Sequence, residues 1–364
     1  MPLKSSINDR QICFILLLTL TTYTVISIPK VIAKTAGTGG WISLMVNALF
    51  FASFAAMIIR LNSAFPGMMM FDYSRRIVGK FLAYVLAVFF ILYFLMVSTY
   101  LSVHLTELLR AEFYPKTPQW VMLVASVLVF GLIAQRGVVS VARFFEIIGT
   151  VFAISAVIIH LIMFQQGDIR EIQPFFRASK LPEYMLGVKD TIFSFLGIEL
   201  LMIFPLSGQN SKRTTWVAFF TIIFVGLFYA LVVETCIMML GMKSVQNYNF
   251  ALIEAIKQID IPILERFDVV YLTVGFAGLV AGISGVYLAL VEFAIRLFKT
   301  VNRSFVVVGV GVLIIASSIA TQAVKPAIDI YESALPVAGV FIVFLIPAIL
   351  LLTAKVRGLV QKPQ

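Results

Sequence analysis

Ten stretches of this chain are apolar over about the thickness of a bilayer, and nothing else in the sequence restricts the fold as strongly. They are residues 12–28, 41–59, 81–105, 120–134, 147–164, 191–206, 214–240, 269–293, 305–321 and 334–353. A helix crosses the hydrocarbon core in about 20 residues, with a range of about 17–25, so 120–134 and 191–206 are the marginal members. Hydrophobic residues make up 61% of the chain and charged residues 13%. Ordinary globular chains hold about 45–50% and about 25%. Such a chain cannot hide its apolar surface from water, so lipid is its solvent. Collagen, disorder, a disulfide scaffold and nucleic-acid binding are excluded. The alternating ten-residue strands of a membrane barrel are absent. The expectation is an all-α integral membrane protein with ten transmembrane helices in a single membrane domain, 1–364. Cys13 and Cys236 fall inside apolar runs and form no disulfide or metal motif. No Ala-x-Ala cleavage site follows the first run, which reads as a retained span.

Orientation follows from the basic residues in the connections. With the N-terminus cytoplasmic, the inner segments hold Lys4, Arg10, Arg60, Arg75, Arg76, Lys80, Arg136, Arg143, Lys212, Arg213, Arg296, Lys299, Arg303, Lys355, Arg357 and Lys362. Their only acids are Asp9 and Asp72. The outer segments balance acid against base. The net charge of +10 is therefore mostly a topology signal, with both termini cytoplasmic; recruitment of anionic membrane lipid is the lesser reading.

The ten spans divide into five and five, about 9–165 and about 189–355, and the halves share irregularities. The third member of each, 81–105 and 269–293, is long enough to require tilt. The first member of each looks interrupted. Span 1 carries Thr21, Thr22, Tyr23 and Thr24, then Ser27, with Pro29 just beyond. Span 6 carries Ser194, Gly197, Glu199 and then Pro205. Broken spans at matching positions of two halves point to a transporter binding site. Five spans per half also force the second half to start from the opposite side, so the repeat is inverted. Backbone groups freed at mid-membrane must line a cavity or meet a ligand. The N-terminal end of a half-helix suits a carboxylate and carbonyl ends suit an ammonium, so an amino acid fits both. The alternative is that the hydroxyls bond back to their own helix and Pro29 merely ends a span.

Beyond span 7, the polar stretch Lys243–Asn249 precedes Phe250, Ile253, Ile256 and Ile259. That spacing makes either an interfacial helix over the outer mouth or a solvated loop helix.

Several motifs resemble one family. Phe65-Pro66 and Gly79-Lys80 resemble the inner loop of the spore germination permeases, the B subunits of bacterial nutrient-germinant receptors within the amino acid–polyamine–organocation superfamily. Ser194-Phe195-Leu196-Gly197-Ile198-Glu199 is similar to that family's sixth helix. Ile172-Gln173-Pro174 and Glu265-Arg266-Phe267 also fit. The resemblance runs from about Asp9 to Lys355. It implies a LeuT-like 5+5 inverted repeat with broken helices 1 and 6, and a ligand pocket between them and tilted helices 3 and 8. It also implies a germinant sensor in the spore's inner membrane, working with an A subunit and a lipoprotein C subunit. The wider superfamily often has glycines at the helix 1 break. Here Thr22-Tyr23-Thr24 fill that space, so ligand identity does not carry over.

The candidate ligand-binding residues are Thr22, Tyr23, Thr24, Tyr100, Ser194, Gly197 and Glu199. Glu199 is the sharpest, because an acid deep in a span costs about 2.5–3.5 kcal/mol unless it faces the interior. It would bind an ammonium or carry a coupling proton; the alternative is a protonated structural group on a broken backbone. Glu234 and Glu292 lie nearer span ends, within reach of water or Arg296. Glu146, three residues after Arg143, reads as a helical ion pair. Tyr93 and Tyr100 share a face of span 3, toward the pocket or in aromatic packing. His104 and His160 lie near the outer boundary as interfacial residues. Gly275, Gly278, Gly282 and Gly285 form a small-residue stripe on span 8, for close packing or, alternatively, room for ligand. No metal helix, phosphate loop or nucleophile triad is present, so neither catalytic residues nor a metal or cofactor are expected. The reading is a germinant-receptor subunit that binds a small nutrient such as an amino acid. The alternatives are a proton- or sodium-coupled amino-acid permease and a membrane anchor for the A subunit.

Overall fold

The computed structural model describes residues 7–206, 211–260, 267–298, 302–323 and 326–359. Lys4, Lys299, Lys362, Glu265 and Arg266, named above from the sequence, lie outside them. Among the described residues all the regular structure is helical, apart from an isolated bridge between Ile7 and Leu206. The first half comprises α1 (Asp9–Thr24), α2 (Ile28–Thr35), α3 (Gly40–Ser63), α4 (Met70–Ile77), α5 (Lys80–Glu112), α6 (Gln119–Gln135) and α7 (Val138–Gln166). The second half comprises α8 (Leu181–Asp190), α9 (Ser211–Leu240), α10 (Met242–Asn247), α11 (Ala251–Lys257), α12 (Phe267–Phe298), α13 (Arg303–Ala323), α14 (Pro326–Val340) and α15 (Ile346–Val356).

Among the described residues, seven helices are long and apolar enough to cross a membrane, with α14 and α15 counted as one run. The pair α1 and α2, bent by 63°, makes an eighth when counted as one broken span. At the positions of the fourth and sixth expected spans stand two shorter apolar elements, α6 and the segment Ile192–Met202. The outer surface is greasy: Leu49, Phe81, Leu132, Leu161, Phe220 and Val312 are all exposed. This suits a molecule whose solvent is hydrocarbon.

Both expected breaks have local causes. α1 ends at Thr24 and the chain resumes as a helix at Ile28. Pro29 does not end the span. It occupies the first turn of α2, where a missing N–H is harmless and the fixed φ is already helical. Segment 192–202 consists of two short 3₁₀ turns, Ile192–Phe195 and Ile198–Met202, separated at Gly197. Gly197 has φ of +112°, a conformation that only glycine adopts without strain.

α12 runs through the centre of the bundle, packed on α1, α5, α6 and α7, while α3 packs along α9. The small-residue stripe permits the central packing at three of its four positions. Gly278 meets Leu18 and Phe152, Gly282 meets Thr22 and the Leu18 carbonyl, and Gly285 meets Phe145. Gly275 faces open space instead.

Three other expectations change. Glu146 pairs with Arg10 (3.1 Å) and accepts from Gln11 (3.3 Å), not with Arg143. Gly149, one turn on, lets Phe14 of α1 approach α7 closely, which brings the start of α1 against Glu146 while Arg143 stays exposed. The polar stretch after α9 is the helix α10, and Ile253 and Ile256 of α11 are buried in protein instead of lying at a lipid interface. Glu234 is not at an open span end: both its carboxyl oxygens are buried, with no protein partner among the described residues. Glu292 does meet Arg296 (2.6 Å), and also Arg303 (2.8 Å).

Candidate functional site

The two breaks lie side by side and are tied together by side chains from helices that stay whole. The Tyr229 hydroxyl of α9 donates to the Leu20 carbonyl (2.6 Å) and lies 3.0 Å from the Ser194 carbonyl, so one group serves both interrupted segments. Two asparagines of α3 satisfy the irregular backbone of the second break. Asn47 donates to the Val188 carbonyl (2.7 Å) and to the Thr191 hydroxyl (2.9 Å). Asn62 donates to the Leu201 carbonyl (2.7 Å) and accepts from Tyr73 (2.9 Å). These bonds are what make non-helical backbone tolerable inside a membrane protein.

Glu199 forms the centre of the junction and is fully buried. Its Oε2 accepts the backbone N–H of Gly197 (2.7 Å). Its Oε1 accepts the hydroxyls of Tyr23 (3.0 Å) and Tyr93 (2.8 Å). A carboxylate offers two acceptor oxygens and no donor, the complement of these three donors. The residue therefore joins the end of α1, the middle of α5 and its own broken segment.

Next to this junction lies a cavity of about 320 Å³. Its walls include Thr22, Tyr23, Thr24 and Ser27 from the first break, Tyr100 and His104 from α5, and Phe193 and Ser194 from the second break. The aromatic wall is continuous: Phe193 lies 5.2 Å from both Tyr23 and Tyr100, and Tyr100 lies 4.2 Å from His104. Asp190 and Glu332, both exposed, complete the lining, which contains no lysine or arginine. They sit at the end of the bundle opposite the basic connections. His104 Nδ1 lies 3.3 Å from Glu107, while its buried Nε2 has no partner among the described residues.

Of the residues expected from the sequence, Thr22, Tyr23, Thr24, Tyr100 and Ser194 line the cavity together. Gly197 and Glu199 lie outside the lining. Gly197 is pressed on the backbone of Thr19, and Glu199 is turned toward Gly197 and the two tyrosines. The Thr22 hydroxyl bonds back to the Leu18 carbonyl (2.6 Å), as Thr21 does to Leu17 (2.8 Å). Sequence reasoning missed Asp190, Glu332 and Phe193 in the lining and Asn47 and Asn62 behind it. A signal existed for each polar one: Asp190 and Glu332 stand at the edges of spans, Asn47 lies within an apolar run, and Asn62 lies just past its end.

These features define a class. The fold is the LeuT-like fold of secondary transporters. MhsT, solved in complex with L-phenylalanine, superposes with a TM-score of 0.67, covering 94% of this chain and 98% of that one at 11% identity. A Na⁺-coupled sialic acid symporter superposes with a TM-score of 0.65 over 94% of this chain and 78% of its own, at 14% identity. Residues 6–325 match the family described as Spore germination protein, and the chain belongs to that family. Among its relatives, Spore germination protein YndE of Bacillus subtilis (strain 168) is 26% identical over 72% of this chain and 73% of its own length. Spore germination protein GerLB of Bacillus cereus is 23% identical over 73% of this chain and 72% of its own.

Proposed function

We propose that this multi-pass membrane protein is the membrane subunit of a spore nutrient-germinant receptor, and that it binds a small nutrient such as an amino acid between the two breaks. The observation that carries the reading is the cavity, which combines a continuous aromatic wall with a rim bearing only acids. An ammonium is attracted to Asp190 and Glu332, and aromatic faces add to the attraction. A carboxylate would meet the free N–H groups at the start of α2, whose cap residue Ser27 lines the cavity and makes no side-chain cap. Phe193, Leu101 and Ile283 supply an apolar surface for a nutrient side chain. A volume of about 320 Å³ suits a small ligand.

In this reading Thr24, Tyr100 and Ser194 touch the ligand, while Glu199 and Gly197 are positioning residues that hold Tyr23 and the second break. The two repeats are 9–165 and 189–355. The basic end and both termini are cytoplasmic, with the cavity opening to the outside of the spore's inner membrane. Ligand binding biases the arrangement of the broken segments, and the receptor's A and C subunits relay that bias.

The test is the nutrient response of spores carrying Asp190→Asn with Glu332→Gln. Both positions are exposed, so folding is preserved. The reading expects normal protein abundance and a nutrient concentration for half-maximal germination raised at least about fivefold, the effect of ~1 kcal/mol. An unchanged response would refute the role of the acid rim. Uptake of labelled nutrient by vesicles holding this subunit alone would favour the permease reading.

A further inference from the structure

A second cavity opens at the basic end, on the apolar surface of the bundle. It is a groove of about 1030 Å³ between α3, α9 and α15. Its floor is a single stripe of α3, where Ser53, Ala56, Met57, Arg60 and Ser63 recur at helical spacing. One wall carries Lys212, Trp216 and Phe219 of α9, and the other carries Leu351 and Lys355 of α15. Three cations from distant parts of the chain, Arg60, Lys212 and Lys355, therefore converge on one groove whose lining contains no acid.

Arg60, Lys212 and Lys355 make no ion pair and no side-chain hydrogen bond among the described residues, and all three are exposed. Arg75, Arg76, Lys80, Arg136, Arg143 and Arg357 also make no ion pair among the described residues, but none of them lines the groove. The other described cations of this end are tied to acids: Arg10 pairs with Glu146, Arg213 with Asp9, Arg303 with Glu292, and Arg296 with both Glu292 and Asp72. Topology alone calls for cations at this end, but it does not call for three of them around a groove with apolar walls. The stripe of small side chains leaves room along α3 for an acyl chain. Trp216 is 58% exposed at the level where indoles favour the membrane interface.

We infer that this groove binds an anionic phospholipid, with the phosphate among Arg60, Lys212 and Lys355 and one acyl chain along Ser53, Ala56 and Met57. Basic pockets between transmembrane helices on the cytoplasmic side hold anionic headgroups for this electrostatic reason. A soluble phosphate shares the headgroup chemistry but gains nothing from the apolar walls. The inference does not depend on the nutrient cavity.

The experiment is a titration of the purified, delipidated full-length protein with phosphatidylglycerol and with phosphatidylcholine, read by native mass spectrometry. The wild type is expected to prefer phosphatidylglycerol. The variant Arg60→Gln/Lys212→Gln/Lys355→Gln should lose on the order of 100-fold in phosphatidylglycerol affinity, at roughly fivefold per cation near an anionic headgroup. Arg76→Gln/Lys80→Gln/Arg136→Gln removes the same charge from exposed sites at the same end and should change affinity less than about fivefold. Arg60→Lys/Lys212→Arg/Lys355→Arg should retain binding. Excess inorganic phosphate should not displace the lipid. Equal losses in the two neutralised triples would mean diffuse attraction and overturn the inference. Absence of a phosphatidylglycerol preference in the wild type, or displacement by phosphate, would overturn it as well. If the groove triple misfolds, Lys355→Gln alone carries the test, with a loss of about fivefold.

Discussion

Replacing Glu199 with glutamine changes one atom, and the surrounding geometry makes the effect asymmetric. Three donors converge on the carboxyl group: the Gly197 N–H on Oε2, and the Tyr23 and Tyr93 hydroxyls on Oε1. If the glutamine oxygen keeps the tyrosines, its NH₂ faces the Gly197 N–H, donor against donor. If the amide flips, the tyrosine hydroxyls meet an NH₂ and lose their acceptor. Either way at least one buried donor is stranded, at about 1–3 kcal/mol. Glu199→Leu strands all three and should cost upwards of about 4 kcal/mol, with loss of membrane abundance. Tyr93→Phe removes one donor and its bond, about 1 kcal/mol. In a double-mutant cycle, Tyr93→Phe and Glu199→Gln should couple by about 1 kcal/mol or more because they share one oxygen. The assay is unfolding in mixed micelles by SDS titration, with abundance in spore membranes measured beside the germination response. A Glu199→Gln protein as stable as wild type, or additive single variants, would refute the claim that this carboxyl holds the junction.

Gly197→Ala forces a side chain into a left-handed conformation and places its Cβ 3.3 Å from the Thr19 backbone, so a loss of about 1–3 kcal/mol is expected in the same unfolding assay. Glu292→Gln leaves Arg296 and Arg303 without the carboxylate they share and should cost about 3 kcal/mol, whereas Arg143→Gln, with no ion pair among the described residues, should stay within about 0.5 kcal/mol. Cysteines placed at Lys212, Lys355 and Arg357 should resist a membrane-impermeant thiol reagent added outside intact cells and react once the membrane is opened; labelling in intact cells would reverse the orientation.

The two halves of the site differ in how legible they were. The helix 1 break was announced by a polar patch in a greasy span, and Thr22, Tyr23, Thr24 and Ser27 of that patch line the cavity. The second break was announced by Gly197, whose φ of +112° is its local cause. What the sequence left hidden depends on side-chain direction across long separations. The sequence leaves Glu199 open between a ligand-facing acid and a structural group on the broken backbone, and it does not show the partners at Tyr23 and Tyr93. Glu146 stands at ion-pair spacing from Arg143, yet close packing at Gly149 turns it to Arg10 on another helix. Asp190 and Glu332 are 142 positions apart, and only the fold brings them to one rim. Spacing along a helix fixes which residues share a face, but it does not determine which face meets which neighbour.

The central claim is that a nutrient occupies the cavity between the breaks, and the most direct measurement is protection of a cysteine placed in its wall. Ser194→Cys is suited to this, because Ser194 lines the cavity and its side chain makes no hydrogen bond among the described residues; of the native cysteines Cys236 is fully buried, and half-buried Cys13 lies outside the cavity lining and is read on its own peptide. Spores carrying it would be treated with a small thiol reagent, with and without each candidate nutrient, and the modified fraction determined by mass spectrometry. The account predicts modification from outside, slowed in a saturable way by the same nutrient that triggers germination and by no inactive analogue. Modification at an unchanged rate in the presence of the active nutrient would contradict it.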